Sequence, residues 1–579
     1  MENQVFSWID YTLFVLMFLI SAGIGIYYGF FVKQQNTTSA YLLGGKAMNY
    51  FTVAMSLSAS MISSFSLLAF PTETYLYGTI YLVGVIAQIL TGVILYYTFL
   101  PVFWKLEITA AYEYLEIRFD KTLRTVATVL YIVTNFIHLS FVIYAPSLAF
   151  SQVTGFNVYG IAIITCAVCI FYTSVGGLKA VVSADTLQLI VMLLTLTCIF
   201  VIGIVSSGGF GVILDKAELG ERMNFFTMDL DPTARISFWS AAIGSVTTFT
   251  TFVATSPYTV QRFLAVKSLK ESRKELIVFL VFHITLQLIL CFSGIIMYAK
   301  YYDCDPLSTG HIKRADQILP YYVLDVATRV PGLSGLFIAG MFSASLSTLS
   351  TMLNSLSGLI YDLLSPIMPQ DLTDRYTGHL LRIITILLGI MGIALVFVIG
   401  RLGTLLELLT SLYSVSLAPI GGMFLLGMLF PFSNTKGAYC GAIVSVVFMV
   451  FYNTKRQMHV WNGDIKYSHK PLYTHGCNMT SAVNTSLNTV ETVAHQQSNV
   501  PWLFRLSFLY LVPMGCILTI IVGLLVSWLF YNKNVQAKPN TLCPCIRALL
   551  IKYRKASMCN GNNEICVRYS FRQEEKTES

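Results

Sequence analysis

The sequence predicts an all-α membrane protein that crosses the bilayer many times. Of its 579 residues, 55% are hydrophobic and only 11% are charged, whereas soluble domains carry roughly 25% charged residues. The mean hydropathy is +0.68. Apolar runs of about 20 residues, the length that a transmembrane helix needs, recur from one end of the chain to the other. These observations exclude a soluble protein and indicate a bundle of transmembrane helices.

Thirteen apolar segments are long enough to be transmembrane helices. The first, residues 9–32, lacks the basic start and the cleavage site of a signal peptide, so we expect it to remain in the protein. The others are residues 50–70, 79–101, 124–150, 157–175, 183–206, 237–260, 276–299, 333–361, 380–400, 404–430, 436–452 and 507–530. Residues 1–532 should therefore form the membrane domain. Residues 533–579 are polar and basic, which predicts a disordered tail.

The distribution of charge predicts the orientation. An odd number of spans places the termini on opposite sides. With the N-terminus outside, 24 of the 37 Lys and Arg residues lie inside, as the positive-inside rule requires. The long polar loop 453–505 is then extracellular, and its sequons at Asn478 and Asn484 are accessible for N-glycosylation. We therefore expect an extracellular N-terminus and a cytoplasmic C-terminus.

The stretch Gly340–Asp362 can cross a bilayer but is crowded with small hydroxyl groups. On a helix one stripe of it carries Ser343, Ser347, Ser350, Thr351 and Asn354. Such a stripe would waste its hydrogen-bonding groups against lipid, so it should face protein or a wet cavity. Hydroxyl and carbonyl oxygens are the ligands that hard cations prefer. The alternative is that these small residues only allow close helix packing.

The second span is rich in serine and predicts a helix that is broken near its middle. The region without a strong helix signal is Ala59–Ser66. Unwound backbone at mid-membrane is tolerated where it lines a cavity, and it exposes carbonyl oxygens there. A continuous helix packed through its serines is the alternative.

Four titratable residues lie in or beside predicted spans. Asp185 has two interpretations. It is an interfacial carboxylate that is paired with Lys179 or favoured by a helix N-terminus, or it helps to hold and release a cation. Glu407 lies several residues into a span, where a carboxylate must be paired, protonated or facing water. His138 and His283 are expected to be hydrogen-bonded structural residues.

The sequence contains no feature of a hydrolytic or phosphate-handling site. It has no Gly-rich phosphate loop after a strand and no HExxH motif. We therefore expect no enzyme. The expected partners are a small solute, a cation and the lipid bilayer, and not nucleic acid.

Nine motifs occur in an order that resembles one known family. They are MSLSASMISSFSLL, TETYLYG, ITAAYEYLEIRF, VIYAPSLAFSQVTG, FYTSVGGLKAVVSADTLQLIVM, VQRFLA, YYDCDPL, SLSTLSTMLNSLS and LLGMLFPFSNTKGA. Over residues 8–530 the chain resembles the sodium/solute symporters (solute carrier family 5), in the branch with the iodide, monocarboxylate and multivitamin symporters. The resemblance implies a leucine-transporter-like core of two inverted five-helix repeats, at about residues 50–206 and 237–430.

The resemblance also implies which residues bind sodium, the co-transported ion. The implied ligands are the hydroxyls of Ser347 and Thr348, with Asp185 nearby. Backbone carbonyls complete the set, at Ala59, Ile62 and Ala344. Further positions linked to sodium in the family are Ser350, Thr351 and Asn354. The implied substrate cavity is bordered by Ser63, Ser66, Ser256 and Glu407.

The implied function is sodium-coupled import of a small monocarboxylate- or vitamin-like solute across the plasma membrane by alternating access. Glu407 stands where the iodide symporter has an amide, and a carboxylate there repels an anion unless it is protonated or paired. A neutral or cationic solute therefore remains an alternative. A passive channel and a non-transporting sensor on the same fold are two further alternatives.

Overall fold

The computed structural model describes residues 6–31, 45–327, 330–368, 374–399, 405–465, 467, 469–477, 500–531 and 537–559. The regular structure of these residues is helical, as the composition predicts. Among them, ten helices are long and apolar enough to cross a membrane, or eleven if one bent pair is counted as a span.

The bounds of the α-helices are as follows. The first half of the chain contains α1 (Trp8–Ile26), α2 (Tyr50–Met61), α3 (Ser64–Tyr77), α4 (Val83–Ile94), α5 (Leu100–Lys105), α6 (Glu113–Arg118), α7 (Lys121–Thr154), α8 (Val158–Ser206) and α9 (Phe210–Leu219). The second half contains α10 (Phe238–Thr255), α11 (Pro257–Phe263), α12 (Leu269–Lys300), α13 (Ile318–Ala327), α14 (Leu333–Leu364), α15 (Asp374–Ile399), α16 (Leu405–Leu429), α17 (Thr435–Trp461), α18 (Leu511–Leu529) and α19 (Pro544–Cys559).

The second predicted span is broken, which confirms the expectation from its serines. α2 and α3 are bent by 63° relative to each other. Between them Ile62 has φ −101° and ψ 99°, and Ser63 has φ −83° and ψ 166°, so both are extended. Ser63 Oγ then caps α3 by accepting a hydrogen bond from the Ser66 amide at 3.4 Å. The break leaves backbone groups without helical partners inside the bundle.

α8 is too long to be a single crossing. Its 49 residues would extend roughly 74 Å as a straight helix, and the hydrocarbon core is only about 30 Å thick. The chain kinks at Gly177, which has φ 57° and ψ −162°, a backbone conformation that favours glycine. The predicted spans 157–175 and 183–206 therefore run together in one helical stretch. The count of thirteen spans stays a prediction.

A second discontinuous helix occurs in the other repeat. α10 ends at Ser256, whose φ of −69° and ψ of 123° are extended, and α11 begins at Pro257. Proline disfavours a helical conformation in the residue before it and suits the first position of a new helix. Each of the two predicted repeats thus begins with a broken helix.

α14 forms the centre of the bundle. Nearly all of its side chains between Leu333 and Leu359 are buried, against α1, α2, α7 and α8. The small residues allow a close approach: a Cβ atom at Gly340 would lie 2.6 Å from Thr195 Oγ1 of α8. The close packing that the alternative interpretation of its small residues requires is therefore present in this helix.

Loops predicted to be extracellular contact one another. Cys304, after α12, forms a disulfide with Cys477 in the loop 453–505. In the same loop the Lys470 amide donates a hydrogen bond to the Leu76 carbonyl, at the end of α3, at 3.0 Å. The loop is therefore attached to the second half of the broken helix.

Segments predicted to be cytoplasmic also contact one another. Arg124, at the start of α7, forms ion pairs with Glu116 and with Asp362, at the end of α14. Tyr114 Oη donates a hydrogen bond to the Thr541 carbonyl at 3.1 Å, and the Thr541 side chain is buried. The sequence predicts that residues 533–579 are disordered. The segment around Thr541 instead packs on the bundle, where Tyr114 donates a hydrogen bond to it.

Candidate functional site

Hydroxyl groups of the broken helix meet those of α14 in a buried hydroxyl cluster, formed by Ser56, Ser60, Ser347, Thr348 and Thr351. Ser60 Oγ lies 3.2 Å from Ser347 Oγ and 2.8 Å from Thr351 Oγ1. Thr348 Oγ1 lies within hydrogen-bond distance of the Ser60 and Ala344 carbonyl oxygens, at 3.1 and 3.0 Å. The cluster joins the end of α2, where the second span unwinds, to the stripe that the sequence singled out.

An ion pair between Asp185 and Arg262 lies against this cluster. Arg262 Nη2 donates to Asp185 Oδ2 at 2.9 Å, and the two side chains are only 1% and 0% exposed. Arg262 also donates to Ser56 Oγ at 3.0 Å and to Thr351 Oγ1 at 2.6 Å. The interfacial interpretation of Asp185 is therefore wrong. Its partner is the buried Arg262 and not Lys179.

The oxygen atoms of this site suit an alkali cation. Asp185 Oδ1 is buried and has no hydrogen-bond partner among the described residues. A buried carboxylate oxygen without a partner is costly, and a cation would satisfy it. Carboxylate, hydroxyl and carbonyl oxygens together are the ligand set of hard cations.

The residues predicted to bind sodium lie in or near the cluster, but their polar groups differ in the hydrogen bonds that they make. Ala59 and Ile62 are completely buried where α2 ends. The Ser350 hydroxyl instead donates to the Ser347 carbonyl at 3.1 Å, so it is engaged within its own helix. Asn354 Oδ1 is buried without a partner in the described part of the chain, two helical turns beyond Ser347.

A cavity of about 250 Å³ lies beside the hydroxyl cluster and shares Ser60, Thr348 and Thr351 with it. Aromatic rings and uncharged polar groups form most of the remaining wall. Its polar members are Ser63, Ser66, Gln88, Asn135, His138, Ser245, Thr248, His283, Gln287 and Thr410, and its aromatic members are Phe65, Phe70, Tyr81, Phe249, Phe252, Tyr258, Tyr413 and Phe508. The described wall contains no Asp, Glu, Lys or Arg.

The predicted cavity residues divide into three groups. Ser63 and Ser66 line the cavity. Ser256 is completely buried and is not among the residues that line the described cavity. Its place beside the solute stays a prediction. The side chain of Glu407 lies outside the described residues.

The two intramembrane histidines both face the cavity. His138 Nδ1 lies 2.6 Å from Tyr413 Oη, so this residue is hydrogen-bonded as expected. The ring of His283 stacks on Phe249 with a centroid distance of 5.3 Å, and its Nδ1 has no partner among the described residues. Together they give the cavity uncharged or weakly basic polar groups.

Sequence reasoning did not single out Arg262, which follows the predicted span 237–260. One signal was present: the residue occurs in VQRFLA, on the short helix that follows the break at Pro257. All of the side chains of this helix are buried. The partnership with Asp185 could not be predicted, because 77 positions separate the residues.

The sequence of the chain is similar to those of known proteins. Residues 41–445 match the Sodium:solute symporter family. The chain is 35% identical over 531 residues to sodium-coupled monocarboxylate transporter 1 of Xenopus laevis, which covers 90% of this chain and 85% of that protein. It is also 35% identical over 532 residues to sodium-coupled monocarboxylate transporter 1 of Homo sapiens, with 90% and 86% covered.

Among solved structures, the chain is similar to the substrate-bound outward-open state of a Na⁺-coupled sialic acid symporter. The TM-score is 0.74 at 21% sequence identity, over 92% of this chain and 99% of that one. At this identity the likeness shows the fold, which is the leucine-transporter-like arrangement that the sequence resemblance implied.

Proposed function

Because this chain belongs to the sodium:solute symporter family, we propose that it imports a small monocarboxylate together with sodium across the plasma membrane. One observation carries this proposal: the hydroxyl cluster and the cavity share Ser60, Thr348 and Thr351. A cation bound in the cluster would form part of the wall that the solute touches. Each ligand would then raise the affinity for the other by the same factor.

Sodium holds the two moving parts of the fold together in this proposal. The hydroxyls of Ser347 and Thr348 supply ligands from α14, and the carbonyls near Ile62 supply them from the broken helix. Sodium arriving from outside would stabilise the outward-open form by binding it better than the inward-open form. The membrane potential supplies about 2.3 kcal/mol per charge per 100 mV for the inward step.

Asp185 and Arg262 form the cytoplasmic side of the sodium site in this mechanism. Asp185 Oδ2 accepts a hydrogen bond from Arg262, and Asp185 Oδ1 has no partner among the described residues. That free oxygen offers a departing sodium ion a negatively charged ligand. Ser350, Thr351 and Asn354 provide further oxygens on α14 for the same passage.

The cavity suits a small solute with one negative charge. Its volume of about 250 Å³ is below the roughly 300 Å³ at which drug-sized ligand sites begin. The described wall has no acidic side chain to repel a carboxylate, and sodium at the shared wall would balance its charge. The two relatives named above are sodium-coupled monocarboxylate transporters. A neutral or cationic solute follows only if the Glu407 side chain faces the cavity as an anion.

The proposed orientation has the N-terminus outside and the C-terminus inside. The disulfide Cys304–Cys477 supports it, because such bonds persist in the oxidising extracellular space. The sequons at Asn478 and Asn484 follow in the same loop and lie outside the described residues. The excess of Lys and Arg in the loops and the tail that are predicted to be cytoplasmic agrees with this orientation.

Uptake of radiolabelled solutes into cells that express the protein tests the proposal. We expect accumulation of a short monocarboxylate above its external concentration when sodium is present, and none when sodium is replaced by choline. Flux that only equilibrates the solute would indicate a channel. Sodium binding without uptake of any monocarboxylate, vitamin, sugar, polyol or cation would indicate a sensor. Accumulation of a cation alone would overturn the monocarboxylate proposal.

A further inference from the structure

Arg456 of α17 is a buried cation without a hydrogen-bond partner among the described residues. The residue is 1% exposed, and its Nε, Nη1 and Nη2 atoms have no hydrogen-bond partner in the part of the chain that the structure describes. A guanidinium group stays protonated in proteins, so it cannot escape the cost of burial by losing its charge. An unpaired charge in such a place is strongly unfavourable. A negative ligand would remove that cost.

A second unused donor belongs to the same region. The Oη atom of Tyr467 is buried and has no partner among the described residues. The guanidinium carbon of Arg235 lies 5.1 Å from the centre of the Tyr467 ring and 5.3 Å from that of Phe508. Phe508 packs with Tyr452, which precedes Arg456 by one helical turn on α17, so both donors lie around this aromatic cluster. Tyr452 Oη itself donates to the Leu503 carbonyl at 2.6 Å and is not free. Hydrogen bonds from a guanidinium and a phenol to an anion are of the strong, charge-assisted kind.

This region is separate from the proposed solute cavity. Neither Arg456 nor Tyr467 belongs to its described wall. The region is nevertheless adjacent, because Tyr452 packs in one apolar cluster with Phe508, which does line the cavity. The almost complete burial of Arg456 leaves no opening for an organic solute. A ligand here has to be a small ion.

We propose that Arg456 and Tyr467 bind a small inorganic anion of the halide class at the C-terminal end of α17. The anion neutralises the guanidinium and joins α17 to the loop that carries Tyr467. Its binding stabilises the folded protein and is independent of which solute the cavity accepts. The proposal thus goes beyond sodium-coupled transport and stands even if the solute is not a monocarboxylate.

Thermal unfolding of the purified full chain in detergent tests this proposal. Sodium concentration and ionic strength are held constant while gluconate is replaced stepwise by chloride or bromide. We expect the unfolding midpoint to rise saturably, by about 2 to 4 °C. Arg456→Gln should lose this response. Lys455→Gln removes the same charge from the adjacent exposed position and should keep it.

A second variant keeps the test decisive if Arg456→Gln does not fold. Tyr467→Phe should raise the halide concentration for half of the effect about tenfold, because one hydrogen bond to the anion is lost. A midpoint of the unaltered protein that does not depend on halide overturns the proposal. So does a full halide response in Arg456→Gln. A halide response of the unfolding midpoint that appears only in Glu407→Gln would also overturn the proposal. It would mean that the Glu407 carboxylate, and not a halide ion, is the partner of Arg456 in the unaltered protein.

Discussion

The carboxylate of Asp185 and the guanidinium of Arg262 form an ion pair with a distance of 2.9 Å, and both side chains are almost completely buried. Asp185 belongs to α8, in the first repeat. Arg262 belongs to α11, the second part of the broken helix of the second repeat. The pair therefore connects the two repeats beside the hydroxyl cluster, and alternating access moves such repeats relative to each other.

Removing one partner of this pair should destabilise the protein strongly. Arg262→Gln leaves the buried Asp185 carboxylate without its cationic partner, with only the hydroxyls of Ser56 and Ser60 as hydrogen-bond donors, and breaking a buried ion pair costs about 3–5 kcal/mol. The measurement is the free energy or midpoint of unfolding in detergent. Lys267→Gln, an exposed loss of the same charge, is the control and should change little. The double variant Asp185→Asn/Arg262→Gln should recover part of the loss, and no recovery would contradict the pairing.

The hydroxyls of α14 should set the affinity for sodium. We expect Ser347→Ala and Thr348→Ala each to raise the sodium concentration for half-maximal uptake by about tenfold, the effect of one lost ligand worth roughly 1.4 kcal/mol. Thr348→Ser retains the hydroxyl and should stay close to the unaltered protein. Ser345→Ala removes a buried hydroxyl of the same helix that donates to the Val142 carbonyl. If Ser345→Ala alters sodium dependence equally, the site is wrongly placed.

The wall of the cavity should set the affinity for the solute. Tyr413→Phe removes the hydroxyl that lies 2.6 Å from His138 Nδ1 and leaves the ring in place. We expect a higher solute concentration for half-maximal uptake, by about three- to tenfold, because His138 is no longer held in position. Sodium dependence at saturating solute should not change. Equal effects on both ligands would indicate a general loss of structure instead.

The disulfide Cys304–Cys477 should stabilise the two loops that it joins. It closes a loop of 173 residues, and removal of a native disulfide typically costs about 2–5 kcal/mol. Cys304→Ser should therefore lower the unfolding midpoint and expose Cys477 to a membrane-impermeant thiol reagent added to intact cells. Cys440→Ser, which removes an exposed free thiol, should do neither. Labelling only after the membrane is opened would contradict the proposed orientation.

The close contact of α12 with the broken helix should not tolerate an extra methyl group. A Cβ atom at Gly294 would lie 2.4 Å from the Pro71 carbonyl oxygen of α3. Gly294→Ala should lower stability by about 1–3 kcal/mol through overpacking, and it should reduce uptake if the helices have to separate. Gly160→Ala has no neighbour within 4 Å and should be neutral or slightly stabilising. Thermal unfolding of the two variants compares them directly.

Local patterns in the sequence were sufficient for much of the site. Serine content placed the break within Ala59–Ser66, and the structure has it at Ile62 and Ser63. Helical spacing put Ser347 and Thr351 on one face of α14, and both meet Ser60. The place of Ser256 beside the solute stays a prediction, since a pattern along the chain cannot show on which side of a break a side chain is packed.

The sequence by itself determined the membrane class, the helical fold, the family and the polar face of α14, because each follows from composition or from spacing along one helix. The tertiary structure alone decided the partners of the buried charges. Asp185 pairs with Arg262, and Arg456 has no hydrogen-bond partner among the described residues. The disulfide Cys304–Cys477 likewise joins residues that are distant in the chain. Burial makes each charge depend on its neighbours in space, and those neighbours come from helices that are distant in the chain.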